Sequence, residues 1–136
     1  MKEIYYHYLE KAIVRYEHID FIPPSGVRAA AELGLKLRRE AKPSNKGGLS
    51  AQQAAEAGVG SGVQRAINLK NGDKISPETI KRMYSFFSRH SVFKNKHSKN
   101  PPNKSYISWM LWAGDPGFRW CKKIYKMMKR ADEKEK

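Results

Sequence analysis

Between Thr79 and Gly114 the chain carries no acidic residue, while Lys81, Arg82, Arg89, Lys94, Lys96, Lys99 and Lys104 accumulate. Ammonium and guanidinium groups unopposed by carboxylates attract polyanions, and the backbone of DNA or RNA is the commonest such partner. The overall charge points the same way. The formal net charge is +14 over 136 residues, and residues 79–136 hold fifteen Lys/Arg against four Asp/Glu. Residues 1–40 and 41–78 stand near balance, at +1 and +2. Past the acid-free run, Lys122, Lys123 and Lys126 extend the basic set, with Arg119 and Lys129 beside them. An anionic membrane surface or an acidic protein would compete for such a surface, but no apolar run reaches the length of a membrane span, so no membrane partner is expected.

Catalysis needs converging groups, and few are present. His7, His18, His90 and His97 are scattered, with no H-E-x-x-H or paired Cys/His spacing for zinc. Cys121 is the single cysteine, which excludes an internal disulfide framework and fits a reducing compartment. It lies among apolar positions and is expected to be buried. His90, next to Arg89 at a predicted helix end, suits the last carbonyls or a phosphate better than a general base. The C-terminal half lacks the clustered carboxylates of a two-metal nuclease. The expectation is a binding protein rather than an enzyme, with no cofactor and no metal.

The elements that position these cations read as helices. Ser76 can cap a helix that Pro77 opens and Glu78 favours, and Ile80, Met83, Tyr84 and Phe87 recur at i, i+3, i+4 and i+7. That places an apolar stripe on one face and Lys81, Ser85 and Arg89 on another. Asn71-Gly72 closes a preceding short helix over residues 63–70. Tyr5, Tyr8, Leu9, Ala12, Ile13 and Tyr16 form an amphipathic stripe, so residues 3–17 are predicted helical; its tyrosines read as core packing before base stacking. Pro23-Pro24 then leads into a helix from about Ser25, with Val27, Ala30, Leu33, Gly34 and Leu37 on its packing face. Residues 42–49 read as a flexible or functional linker, and residues 51–57 as an alanine-rich helix. The glycine-rich GVGSG lacks the spacing of a nucleotide-binding loop. After Phe93, KNKHSKNPPNKS reads as an exposed, mobile basic loop. Tyr106 to Trp112 form a short helix apolar almost all round, Gly114 ends it, and Asp115 and Pro116 cap and open the last helix, which runs to about Arg130.

The fold expected is all-α, a compact bundle of about six short helices containing a helix-turn-helix-like unit. The N-terminal helix would occupy residues 1–22, the basic helical domain 23–130, and a disordered tail 131–136.

Two resemblances add to this. Gln52, Gln53, Ala54 and Gly58, leading to Val59 and Val63 and then NGDKISPETIKRM, resemble the helix-turn-helix of phage and bacterial repressors. This implies that residues 63–70 enter a major groove, with Gln64, Arg65 and Asn68 at base edges and Lys70 joining the contact set. An ordinary αα-hairpin, with Arg65 and Lys70 simply solvated, is the alternative. More extensively, RAINLKNGDKISPETIKRMYSFFSRHSVFKNK followed by SYISWMLWAGDPGFRW resembles a small domain of tailed-phage proteins, found alone or attached to head-morphogenesis, portal or protease-like proteins. The likeness spans roughly residues 24–125 and implies a phage origin, without bringing an activity or a catalytic residue. Two functions follow as expectations. The first is a small basic protein that contacts mainly phosphates of DNA or RNA. The second is a virion or head-assembly module docking on a capsid, portal or protease partner through the Trp109/Trp112 corner. The expected location is the host cytoplasm or the packaged virion, and the oligomeric state is left open.

Overall fold

Five α-helices and two 3-10 turns make up most of the described residues, 15–48, 50, 52 and 62–134, in a computed structural model of the chain, and no strand forms among them. The all-α class is as expected. Nearly all of the helices expected over residues 3–17 and 51–57 lie outside the described residues, the second being the first half of the repressor-like unit.

Helix α1 (Ser25–Glu40) begins where Pro23-Pro24 holds the chain extended, and the Pro24 carbonyl accepts from the N–H groups of Val27 and Arg28. Helix α2 (Gly62–Asn71) closes at Gly72, whose φ of +73° suits a residue without Cβ. There Asp73 N–H donates to the Asn68 carbonyl and Gly72 N–H to that of Leu69, the paired bonds of a Schellman motif. Helix α3 (Pro77–His90) starts as its sequence predicts, with Ser76 Oγ accepting from Thr79 N–H at 3.1 Å. The 3-10 turn Ser91–Lys96 follows, then α4 (Lys104–Leu111), capped by Asn103 Oδ1, and α5 (Gly114–Lys134).

Helix α1 packs on α2, α4 and α5, and α5 lies along α3. Gly34 lets α1 and α4 meet backbone to backbone: a Cβ there would lie 2.6 Å from the Met110 carbonyl carbon and oxygen. The junction of α3, α4 and α5 is aromatic. Phe87, fully buried, meets Trp109 edge-on at 4.8 Å and stacks on Phe118 at 5.0 Å. Further along the same seam Tyr84 stacks on Tyr125 at 4.4 Å. Such ring pairs fix the rotation of α5 about its axis, because aromatic geometry is directional where aliphatic packing is not. That rotation decides which side chains of α5 face water.

The structure corrects several expectations. Leu33 is 40% exposed and Leu35 is buried in its place, since α4 lies on the Ala31/Gly34/Leu35 side of α1. The linker from residue 42 is anchored: Arg38 Nε donates to the Gly47 carbonyl, Lys46 Nζ donates to the Arg38 carbonyl, and Gly47 is buried against Ser108. The basic loop after Phe93 is likewise tied down, with Asn103 Nδ2 donating to the Lys96 carbonyl and its Oδ1 accepting from Ser98 N–H. The described residues just before position 23 share the core with those after it. Tyr16, Ile19 and Phe21 belong to the main core, and Ile75 N–H donates to the Phe21 carbonyl. The expected tail from residue 131 is helical to Lys134: Ala131 is buried, and Asp132 accepts from Tyr16 Oη at 2.6 Å and from Arg15 at 3.0 Å. Burial alone would raise the Asp132 carboxyl, but those two hydrogen bonds hold it below its ordinary value.

Candidate nucleic-acid interface

Helix α5 turns Trp120, Cys121, Ile124, Met128 and Ala131 into the core. At 3.6 residues per turn the opposite side carries Arg119, Lys122, Lys123, Lys126 and Arg130, which with Met127 line one shallow open surface. From Pro116 to Ala131 the helix contains no acid. The row spans about 16 Å along the axis at 1.5 Å per residue, comparable to about five base-pair steps of a duplex at 3.4 Å each. Long side chains of this kind lay their alkyl stems on the helix and keep the charge in solvent. The surface can therefore take a row of phosphates without unfolding anything or desolvating an internal ion pair.

One flank and the head of the stripe are defined. On that flank, Lys129 Nζ lies 5.4 Å from the Tyr125 ring that stacks on Tyr84, and Lys81 of α3 is exposed on the same side of α3 as that stack. At the helix start, Asp115 is not the N-cap its position suggested. Its carboxylate accepts from Lys94 Nζ at 3.0 and 3.1 Å and from the indole N–H of Trp109 at 3.0 Å. Burial would raise this carboxyl, but the bonds from Lys94 and Trp109, with the charge of Arg119, hold it low. Asp115 thus pins the basic loop to the head of the stripe. The chain reaches this geometry through Ala113 at φ +77° and Gly114 at φ +56°, which turn α4 sharply into α5.

The sequence-predicted residues divide into three groups. Lys122, Lys123 and Lys126 come together, joined by Arg119 and by Arg130, which the sequence marks only as the end of the helix. The signal for Arg130 was its place eleven residues after Arg119 and four after Lys126, on one helical stripe. A second group is engaged by contacts within the chain. Arg65, expected at a base edge, is laid on Trp112: its guanidinium lies 4.2 Å above the ring, and burial together with Arg82 lowers its pKa. Gln64 Nε2 donates to Asn68 Oδ1 at 3.0 Å. Arg82 pairs with Glu78 at 2.8 Å, Arg89 Nε donates to the Ser85 carbonyl, and Lys94 holds Asp115. The third group, Lys70, Lys81, Lys96 and Lys99, is exposed but spread over α2, α3 and the loop.

Cys121 is poorly placed to act as a nucleophile. Burial pushes the Cys121 thiol up to about 12, so the thiolate that would act as nucleophile is absent at neutral pH. Among the described residues no three His, Cys, Asp or Glu side chains gather as metal ligands, and no helix is long and apolar enough to cross a membrane. No protein-family model, curated protein or solved structure matches the chain.

Proposed function

We propose that the chain binds nucleic acid by laying the phosphate backbone along the cationic stripe of α5, in a phage-infected cell or in its particles. The observation that carries this reading is the row of five cations on one helical face, opposite the core and with no carboxylate among them. The phage setting rests on the resemblance of the two sequence segments alone. A repressor-like use of α2 is a weaker part of the reading, because Arg65 is committed to Trp112. Gln64 and Asn68 are what α2 retains for base edges. A head-assembly module docking through the tryptophan corner has little free surface there: Trp109 is 2% exposed and Trp112 lies between Arg65 and Phe86.

The test is affinity across a salt series. Neutralising five phosphates gives a log–log slope of about −4.5 on duplex DNA, or about −3.5 on a single strand. Replacing Lys122 and Lys126 together by glutamine reduces the slope by about two and weakens binding evenly across sequences. A slope near zero, or one that the double variant leaves unchanged, rejects the proposal.

A further inference from the structure

The end of α3, the 3-10 turn Ser91–Lys96 and the start of α4 bring rings to the surface, Phe93 outside the core and Phe86 at its edge. Val92 at 71% and Phe93 at 49% are the most exposed large apolar side chains among the described residues. Phe86, His90, Phe93 and His97, with Lys104 and Ser108, line an open groove of about 530 Å³, and no acid contributes to its wall. Phe86 is fixed in place. One neighbour is Trp112, stacked at 4.8 Å and itself beneath Arg65, and another is His90 at 4.5 Å. Lys96 Nζ stands 5.7 Å from the Phe93 ring. Burial and the charge of Lys94 lower the His97 pKa, which keeps this imidazole neutral and suited to stacking.

Flat π surfaces beside ammonium groups match an unpaired nucleobase and its phosphates; a closed duplex offers no free base face to such rings. The charge of the rim argues against an apolar peptide, which would gain nothing from the lysines. We propose that this groove takes an unpaired nucleobase of a single-stranded nucleic acid, stacked on Phe93 beside the edge of Phe86, with the flanking phosphates held by Lys96 and Lys104. The inference rests on the nucleic-acid reading above and narrows it to strands with unpaired segments.

The experiment compares wild type and Phe93→Ala on two probes of equal charge: oligothymidylate, and an abasic strand of the same length. Phe93 is half exposed, so the variant is expected to fold, which its melting curve checks. The expected result is a loss of about fivefold or more on oligothymidylate, the scale of one base stack, with no change on the abasic strand and recovery in Phe93→Trp. Photocrosslinking of a 5-iodouracil strand is expected to mark Phe86, His90 or Phe93. An equal loss on both probes, no loss on either, or crosslinks confined to α5 overturns the base groove and leaves the α5 reading standing. Wild type that binds neither probe, nor a duplex of the same length, overturns both.

Discussion

The crossing of α1 over α4 gives the same substitution opposite signs at two places in one helix. Alanine is favoured over glycine within a helix by about 1 kcal/mol, so Gly34→Ala would stabilise α1 if nothing stood in the way. A methyl at Gly34 would instead lie 2.6 Å from the Met110 carbonyl carbon and oxygen and 2.8 Å from Leu111 N. All three are backbone atoms of α4, so no rotamer change relieves the overlap and the helices must part. Overpacking of this kind costs about 1–3 kcal/mol even where side chains can adjust. A clash with backbone falls in the upper part of that range, about 2–3 kcal/mol, so with the propensity gain set against it Gly34→Ala is expected to destabilise by about 1–2 kcal/mol, lowering Tm by about 3–8 °C for a chain of this length. At Gly26 the nearest atom to an added methyl is Pro116 Cβ at 4.0 Å, an ordinary contact. Gly26→Ala is therefore expected to raise Tm slightly, by up to about 3 °C. Thermal melts followed by circular dichroism measure both. A neutral or stabilising Gly34→Ala would refute the close crossing, and with it the placement of α4 on which the ring-lined groove depends.

Asp115→Ala leaves the indole N–H of buried Trp109 without an acceptor and is expected to cost about 2 kcal/mol, whereas Lys94→Ala removes only a half-exposed ion pair and costs less than about 1 kcal/mol; urea unfolding separates the two, and equal losses would sink the distinction. Asp115 and Asp132 both titrate lower in the folded chain than in the unfolded one. Their contribution is complete above about pH 4, the ordinary carboxyl range, and is lost as pH falls through their lower folded values; melts stepped downward from pH 5 should show stability falling only at the acid end, less so in Asp132→Asn. Finally, like charges at i and i+4 on α5 (Arg119/Lys123, Lys122/Lys126, Lys126/Arg130) repel by about 0.2–0.5 kcal/mol each. Added sodium chloride is thus expected to raise Tm at neutral pH, and a falling Tm would show that paired charges dominate instead.

Helix identity was legible where local chemistry decides it. Ser76-Pro77-Glu78, Asn71-Gly72 and the stripe of α3 each specify a cap, a stop or a buried face from residues close in the chain. What could not be read depended on distant partners. Leu33 and Leu35 are equally good core residues by composition, and only the direction from which α4 approaches selects Leu35. Asp115 looks like an N-cap by position, but Lys94 and the Trp109 indole, both supplied by the fold, take its carboxylate. Residues 131–134 look like a fraying end until Arg15 and Tyr16 hold Asp132. Arg65 matches a base reader in a linear pattern and is withdrawn from that role by Trp112, 47 positions later in the chain.

The fate of the acids explains why charge remains on α5 and not elsewhere. Glu78 and Asp115 border the acid-free stretch on either side, and each reaches into it, the first to Arg82 and the second to Lys94. The stretch richest in sequence is therefore partly neutralised at both ends. On α5 the arrangement is reversed: Asp115 is drawn to the loop and reaches only Arg119 of the stripe through its charge, and Asp132 is drawn to Arg15 and Tyr16, so neither carboxylate pairs with Lys122, Lys123, Lys126 or Arg130. A helix that needed only solubility would be more stable with acids interspersed at i+4, where each like-charge repulsion becomes an attraction. The chain instead keeps uncompensated cations on its longest helix while using its nearby acids to fix the corner and the N-terminal segment. Self-repulsion on a folded surface is retained at a cost in stability, and a bound polyanion is the partner that would turn that cost into affinity.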